Sequence, residues 1–247
     1  MMVPQKILLY LRFLGTNYCG WQVQPNGVSV QRRVQDAIEA VCGAREPLTG
    51  CSRTDAGVHA NMFCCAFPTT ANLPPERWIA ALNAHLPADI AVFDCRAVPE
   101  DFHPRYSAAG KRYCYRIWNG SARSPFWEGR AHWVRGPLPE EQMNIAAAHF
   151  RGTHDFSAFT AAHSAVEDKI RTITDSRVFR RGDVITFSVT GSGFLYNMVR
   201  IMTGTLLDVA AGRIQPEDIP KIIAGRNRNN AGPTAPAQGL YLEEVYY

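Results

Sequence analysis

Strand and helix patterns alternate along this chain of 247 residues, and their order predicts an α+β protein. Apolar residues recur at every second position in several segments, which is typical of strands packed on one face. Helical patterns with capping signals stand between these segments. There is no strong internal repeat, but each half has a βαβ-type order. We therefore expect two ferredoxin-like (split βαβ) halves, residues 1–104 and 105–247, which share a mixed, mainly antiparallel sheet.

The first half begins with an alternating strand pattern, followed by a helix with clear end signals. Ser29 is a good N-cap for that helix, and Gly43 suits the position after its last residue. Two consecutive prolines favour the start of a second helix. The predicted elements are strands at Lys6–Phe13, Leu48–Cys51, Ala60–Phe67 and Ile90–Val98, and helices at about Ser29–Cys42 and Pro74–Leu86.

The second half continues the alternation of strand and helix patterns. Two of its strand patterns flank a polar turn at Arg180–Asp183, which predicts a hairpin. The predicted strands are Lys111–Trp118, Lys169–Phe179, Val184–Thr190 and Leu240–Tyr246. The predicted helices are about Pro139–Phe150, the helix that starts within Gly193–Arg200 and runs to Ala211, and Pro216–Ala224, with irregular stretches at Gly120–Pro137 and Arg226–Gln238.

Composition excludes several classes of protein. No run of about 18 apolar residues is present, so we expect no membrane span. The N-terminus, Met-Met-Val-Pro-Gln-Lys, lacks the apolar core of a signal peptide, and we expect a cytoplasmic protein. The seven cysteines have no Cys-x-x-Cys spacing and fit buried free thiols. The scattered histidines lack ligand spacing, and no phosphate-binding or dinucleotide motif occurs, so we expect no metal and no cofactor.

Positive charge is concentrated in one stretch of the chain. The formal net charge is +4, yet Phe102–Arg135 holds seven Lys and Arg residues and a single acid, Glu128. Aromatic residues are interleaved with these charges. Such a stretch suits a nucleic-acid face, where cations meet phosphates and rings stack on bases. It equally suits a solvated strand face whose aromatic residues pack inward, and composition does not choose between the two.

The segment Cys51–Ala60, which we call the signature segment, concentrates the most chemistry. It holds an Arg, a hydroxyl, a carboxylate, a Gly and a His between two strand candidates. Gly57 permits a tight turn just after Asp55, and Arg53 is near enough in sequence to pair with that acid. An opposite charge keeps a carboxylate ionised, as a nucleophile must be. The simpler interpretation is an Asx-turn with an ordinary surface arginine.

The string Arg53–Ala60 resembles the catalytic signature of the tRNA pseudouridine synthases. Further motifs follow in that family's order and cover nearly the whole chain. One departure is Ser52, where the family usually has Gly before the Arg. The other motifs are Gly15-Thr16-x-Tyr18-x-Gly20-Trp21-Gln22, Lys111-Arg112-Tyr113-x-Tyr115, Asp155-Phe156-x-x-Phe159, and the stretch that ends at Arg200.

The resemblance implies a central RNA-binding cleft and isomerisation of uridine to pseudouridine in the anticodon stem-loop of tRNA, at positions 38–40. It implies that Asp55 is the nucleophile, that Tyr113 stacks on the uracil and relays a proton, and that Arg200 pairs with the catalytic Asp. Arg53 is expected to hold the extruded nucleotide or its phosphate. It also implies tRNA as partner and a homodimer. Further candidate substrate-binding residues are Arg105, Lys111 and Arg112.

Two other functions remain open at the level of sequence. A non-catalytic RNA-binding protein on a ferredoxin-like sheet would use the basic, aromatic strand equally well. It would have no use for the carboxylate of Asp55 in a basic cleft. A hydrolase with an Asp nucleophile or base predicts a second catalytic carboxylate or a metal cluster, and the sequence indicates neither.

Overall fold

The structure, a computed structural model, describes residues 5–161 and 166–247. Residues 1–4, which belong to the N-terminus considered above, lie outside the described residues. Contacts between backbone positions divide the chain into two units. The first unit runs to Ala109 and also includes Leu242–Tyr247, and the second unit comprises Gly110–Tyr241.

The first unit consists of antiparallel strands and two helices. Its strand order is β4-β1-β3, and the end of the last strand of the chain, β10 (Leu240–Tyr246), lies beside β3. The other elements are β1 (Gln5–Phe13), α1 (Val30–Cys42), β2 (Thr49–Gly50), β3 (His59–Thr69), α2 (Pro75–His85) and β4 (Ile90–Val98).

Local signals explain the helix ends in this unit. The hydroxyl of Ser29 accepts a hydrogen bond from the Arg32 N–H at 3.2 Å, and Gly43 ends α1 in the left-handed conformation, φ 74°. The apolar faces of β3 and α2 meet in the core, where Phe67 packs edge-on against Trp78 with ring centroids 5.4 Å apart. Both predicted helices of the first half and all four predicted strands are confirmed, with shifts of up to two residues at their ends.

The second unit has the strand order β5-β9-β8-β7, antiparallel throughout, and a short parallel pair between β5 and β6. The α+β class with a mixed, mainly antiparallel sheet is confirmed. The strands and helices of the second unit are β5 (Gly110–Trp118), β6 (His132–Trp133), α3 (Glu140–Ala148), β7 (Gly152–Asp155), β8 (Ile170–Arg181), β9 (Val184–Gly191), α4 (Met198–Ala210) and α5 (Ile219–Gly225).

Two features of the second unit differ from the sequence-based prediction. The strands β6 and β7 were not predicted, because two to four residues carry too little alternation to be recognised. Helix α4 begins at Met198, after Asn197 with φ 62°, rather than nearer Gly193. The hairpin between β8 and β9 is confirmed, with a turn reduced to Gly182 and Asp183 because β8 extends to Arg181.

The boundary between the units also differs from the predicted one at residues 104 and 105. The segment before Gly110 stays with the first unit because it is hydrogen-bonded there. Lys6 Nζ donates to the Phe102 carbonyl at 3.0 Å, and the Tyr247 hydroxyl donates to the Pro104 carbonyl at 2.8 Å. The C-terminal end of β10 also belongs to the first unit, and Tyr247 makes its contact with Pro104 there. Sequence order does not reveal this return of the chain.

The seven cysteines are free thiols, and five of them are buried, as predicted. In residues 5–161 and 166–247, no helix is both long and apolar enough to cross a membrane.

Candidate active site

The signature segment forms a tight turn around Asp55. The Val58 N–H donates to the Asp55 carbonyl at 3.2 Å, which closes a four-residue β-turn. Gly57 stands at the third position with φ 78°, a conformation that L side chains rarely adopt. The turn is therefore the one that the Asp-x-Gly spacing predicts, and the Asp55 side chain is half-buried on it.

Paired strands support the turn at both ends. Cys51, which follows β2, donates its N–H to the Cys64 carbonyl in β3 at 2.8 Å. The Cys64 N–H donates to Cys51 Sγ at 3.3 Å. The neighbouring Cys51 thiol and burial raise the pKa of Cys64, so its thiol stays protonated. The segment thus leaves one strand and enters its neighbour, which limits how far Asp55 can move.

The loop Gly15–Trp21, which we call the N-terminal loop, is hydrogen-bonded to the turn through its backbone. The Gly57 N–H donates to the Tyr18 carbonyl, and the Trp21 N–H donates to the Thr54 carbonyl, both at 3.2 Å. These two bonds lie on either side of Asp55. The family-like motif in the loop thus has a structural role beside the turn.

A side chain makes a third connection between the same two segments. The Gly15 N–H donates to Nδ1 of His59 at 2.9 Å, and the His59 side chain is fully buried. Sequence analysis did not assign a role to His59. A histidine within a loop motif gives no local signal of whether it faces solvent, a ligand or a backbone donor.

The N-terminal loop is in turn connected to the start of β4. The Tyr18 hydroxyl donates to a carboxylate oxygen of Asp89 at 2.6 Å, and the Leu14 N–H donates to the Asp89 carbonyl at 2.9 Å. Burial, followed by the hydrogen bond to Asp89, raises the pKa of Tyr18, so the phenol remains a donor. Sequence analysis also missed Asp89, because a single Asp before a strand carries no recognisable pattern.

Arg53 does not form the ion pair that its sequence position suggested. Its side chain is exposed, and among the carboxylates of residues 5–161 and 166–247 none lies within ion-pair distance of it. A guanidinium in this state is available to a phosphate.

The strand β5 distinguishes its two tyrosines, which sequence had separated only by motif order. Both side chains lie on the same face of β5, opposite Val189 and Phe187 of β9. Tyr115 is fully buried, its hydroxyl donates to the Pro236 carbonyl at 2.7 Å, and burial raises its pKa. Tyr115 is therefore a core residue of the second unit.

Tyr113 has a different environment. Its ring packs edge-on against Phe194, with centroids 5.0 Å apart, and 7% of the residue is exposed. Phe194 belongs to the segment that leads into α4, so this aromatic pair connects β5 to the start of the helix that carries Arg200.

Arg200 does not extend from α4 to the surface, as arginines on apolar helices commonly do. It is half-buried, and its Nε donates to the Ala235 carbonyl at 2.7 Å while Nη1 donates to Asn197 Oδ1 at 2.9 Å. The Ala235 N–H donates back to the Arg200 carbonyl at 3.1 Å. The loop that sequence analysis described only as polar thus fixes the direction of this guanidinium.

The remaining candidate substrate-binding residues lie at the junction of the two units in sequence. Arg105 is exposed, and its guanidinium lies 5.7 Å from the ring centroid of the exposed Tyr106. Lys111 and Arg112 are half-exposed at the start of β5. Of all the predicted site residues, Arg53, Asp55 and Arg105 belong to the first unit, and Lys111, Arg112, Tyr113 and Arg200 belong to the second.

Two surface grooves in the second unit are lined by other residues. One, of about 660 Å³, lies between Arg151, His154, Asp155 and Arg226. The other, of about 200 Å³, lies between Trp118, Arg123, Trp127 and Trp133. Within the described part of the chain, no group of three or more His, Cys, Asp or Glu side chains is arranged to hold a metal ion.

The chain is similar in sequence to proteins of one known family. The model of the family described as tRNA pseudouridine synthase matches residues 10–107 and 146–247. A tRNA pseudouridine synthase A from Acetivibrio thermocellus is 46% identical over 243 residues, which cover 98% of this chain and 100% of that protein. One from Staphylococcus aureus is 41% identical over 241 residues, which cover 98% of this chain and 91% of the relative.

The crystal structure of a Cbf5–Nop10–Gar1 complex aligns with 96% of this chain at a TM-score of 0.40 and 13% identity, and this chain spans 48% of the aligned chain. The family match and the identities over nearly the full length show that the chain belongs to the tRNA pseudouridine synthase family.

The close approach of Gly20 to the signature segment yields a prediction. Gly20 has φ 97°, and a Cβ on it would lie 2.3 Å from the Thr54 carbonyl oxygen. We expect Gly20→Ala to destabilise the fold by roughly 1–3 kcal/mol from backbone strain alone, and to lower activity because the turn must shift. Thermal unfolding and uridine-isomerisation assays measure the two effects.

Gly43→Ala is the matched control for this variant. Gly43 also has positive φ, 74°, but a Cβ there would meet nothing within 4 Å. It should show the strain without the displacement of the turn, so its activity per folded molecule should equal that of the wild type. Equal activity of Gly20→Ala and Gly43→Ala would show that the close approach at Thr54 is unimportant.

Proposed function

We propose that this chain isomerises uridine to pseudouridine in the anticodon stem-loop of tRNA, with Asp55 as the nucleophile. The observation that carries the proposal is the signature turn, which holds one carboxylate between two paired strands and under a hydrogen-bonded loop. Membership of the tRNA pseudouridine synthase family supports the reaction and the substrate.

The reaction needs a nucleophile and a proton acceptor rather than an electron carrier. The Asp55 carboxylate attacks the extruded uridine, at the ribose or at the base, and the bond between ribose C1′ and the uracil nitrogen breaks. The base turns, its C5 bonds to C1′, and the covalent bond between Asp55 and the substrate breaks, which frees the carboxylate. The proton on C5 then leaves, which restores the aromatic ring and completes the isomerisation. A rigid support for the carboxylate favours this sequence, since reacting groups must be held in position.

The other predicted residues take the roles that the resemblance implies. Tyr113 stacks on the uracil and relays the C5 proton. Arg200 is the proposed partner of the nucleophile, and its two hydrogen bonds within the second unit fix the direction of its guanidinium. Arg53 binds the extruded nucleotide or its phosphate, which is supported by its exposure. Arg105, Lys111 and Arg112 contact the RNA backbone.

Replacement of Asp55 is the direct test. Asp55→Ala and Asp55→Asn should bind unmodified tRNA transcripts as well as the wild type, because the RNA is held mainly through its phosphates. With tritium at C5 of uridine, the wild type should release tritium, and both variants should release it at least about 10³-fold more slowly, as nucleophile deletions do.

Each alternative outcome has a separate meaning. If the variants and the wild type release tritium equally, Asp55 is not the nucleophile. If the wild type binds tRNA and releases no tritium from a full set of transcripts, the chain is an RNA-binding protein without this activity. Arg45→Gln is a suitable control, because Arg45 is already paired with Asp36 and Glu39 on the outer face of α1.

The basic stretch offers a second surface for the tRNA. We call Gly120–Arg135 the basic loop. Side-chain bonds make this irregular segment rigid: the indole of Trp118 donates to the Ala122 carbonyl at 2.8 Å, and that of Trp133 donates to the Gly120 carbonyl at 3.2 Å. A third bond runs from the Tyr241 hydroxyl to the Arg130 carbonyl at 2.7 Å. The backbone is thereby fixed before any partner binds.

The basic loop presents charge and an aromatic ring to solvent. Phe126 is 83% exposed, and Arg123, Arg130 and Arg135 are exposed beside it in sequence. None of these three arginines forms an ion pair with a carboxylate of the described residues. Unpaired guanidinium groups with an exposed ring match phosphates and an unstacked base, so we propose that this loop binds tRNA.

The double variant Arg123→Gln and Arg130→Gln tests the loop. It should weaken tRNA binding and lower the slope of log Kd against log salt by about one to two, since each lost phosphate contact removes about one. The rate of tritium release at saturating tRNA should be unchanged. Filter binding at several salt concentrations measures the slope.

The matched control is Arg45→Gln with Arg213→Gln. It removes the same formal charge from arginines that already have carboxylate partners, Asp36 and Glu39 for Arg45 and Asp208 for Arg213. An equal change of slope in both double variants would mean that net charge, rather than the basic loop, determines binding.

We also propose that the protein is a cytoplasmic homodimer. The proposal rests on the family resemblance, and a dimer would let one tRNA touch both subunits. Light scattering at micromolar concentration should give twice the chain mass of 27.5 kDa. A single-chain mass at that concentration contradicts the dimer and leaves the reaction untouched.

A further inference from the structure

His59 is a buried histidine whose chemistry the proposed reaction does not use. It is the first residue of β3, four positions after Asp55, and its side chain has no exposed surface. A residue without exposure does not touch an RNA substrate, so it is neither a general base nor a phosphate ligand for the reaction. Its role must lie within the protein.

The hydrogen bond at Nδ1 determines the state of the ring. A backbone N–H can only donate, so Nδ1 of His59 accepts the bond from Gly15 at 2.9 Å and carries no proton. A cationic imidazolium would place an N–H against the Gly15 N–H. The connection therefore requires a side chain with an acceptor at this position.

This bond connects the N-terminal loop to the signature segment through a side chain. The bonds from Gly57 to Tyr18 and from Trp21 to Thr54 connect the same segments through backbone groups on both sides. A substitution can therefore remove the bond to His59 and leave these two backbone bonds in place. The bond to His59 also lies on the far side of the turn from the Thr54 bond, so that the turn is held at both ends.

We propose that His59 is a positioning residue: through its bond to Gly15 it fixes the signature turn against the N-terminal loop and so sets the position of the Asp55 carboxylate. The inference rests on the proposed function, in which Asp55 is the nucleophile. Loss of the bond leaves the two backbone bonds between the segments in place and lets the turn shift. A misplacement of reacting groups by about 1 Å costs a reaction about 100-fold.

Two variants separate the hydrogen-bond acceptor from the volume that the imidazole ring fills. His59→Leu fills the site without an acceptor, and His59→Asn places an amide oxygen near the position of Nδ1. We expect His59→Leu to bind tRNA within about twofold of the wild type and to react about 10- to 100-fold more slowly in a single turnover. His59→Asn should recover most of that rate.

A direct measurement on the wild type keeps the inference testable if His59→Leu does not fold. The Gly15 amide should exchange slowly with deuterium in the wild type and in His59→Asn. Rapid exchange of this amide in the wild type would overturn the inference. Where His59→Leu folds, its Gly15 amide should exchange fast while the amides of β3 stay protected.

The remaining outcomes distinguish this inference from the proposed function. A wild-type rate in His59→Leu overturns the positioning role, as does an equal loss of rate and of thermal stability in both His59 variants, which would indicate a residue needed only for folding. If the wild type releases no tritium while its Gly15 amide is protected, the proposed function fails and the connection between loop and turn stands.

Discussion

The structure depends most on a set of backbone hydrogen bonds that lie around one turn. A four-residue turn between two strands has donors and acceptors that its strands do not satisfy, and buried polar groups of this kind must find partners. The N-terminal loop supplies them at Tyr18 and Trp21, and His59 supplies one in return to Gly15. The hydrogen bonds that satisfy these groups therefore also hold Asp55 in place.

The constraint extends outward from the turn to the rest of the first unit. The N-terminal loop has a fixed place because Tyr18 donates to Asp89 at the start of β4. The signature segment also has a fixed place, because Cys51 and Cys64 pair across neighbouring strands. A carboxylate on a free loop would sample many positions. Here the position of Asp55 is determined by β2 and β3, which are paired with each other, and by the pairing of β3 with β1.

The second unit uses a comparable device for Arg200. A charged side chain on an apolar helix needs compensation. The Ala235 carbonyl accepts a hydrogen bond from the guanidinium, and the Ala235 N–H donates to the Arg200 carbonyl. By contrast, the arginines of the basic loop remain without carboxylate partners among the described residues. The guanidinium of Arg200 is thus held in one orientation, whereas the arginines of the basic loop stay available to a polyanion.

Local pattern was enough to predict the longer strands, the capped helix α1 and the β8–β9 hairpin, because alternation, caps and turns depend on neighbours in sequence. The motifs indicated Asp55, Tyr113 and Arg200 as site residues by resemblance, and these roles stay predictions. What only the tertiary structure decided are contacts between distant positions: Gly15 with His59, 44 residues apart, Tyr18 with Asp89, 71 apart, and Arg200 with Ala235, 35 apart. These contacts depend on how the folded chain brings distant segments together. No pattern within one segment specifies which other segment it will contact.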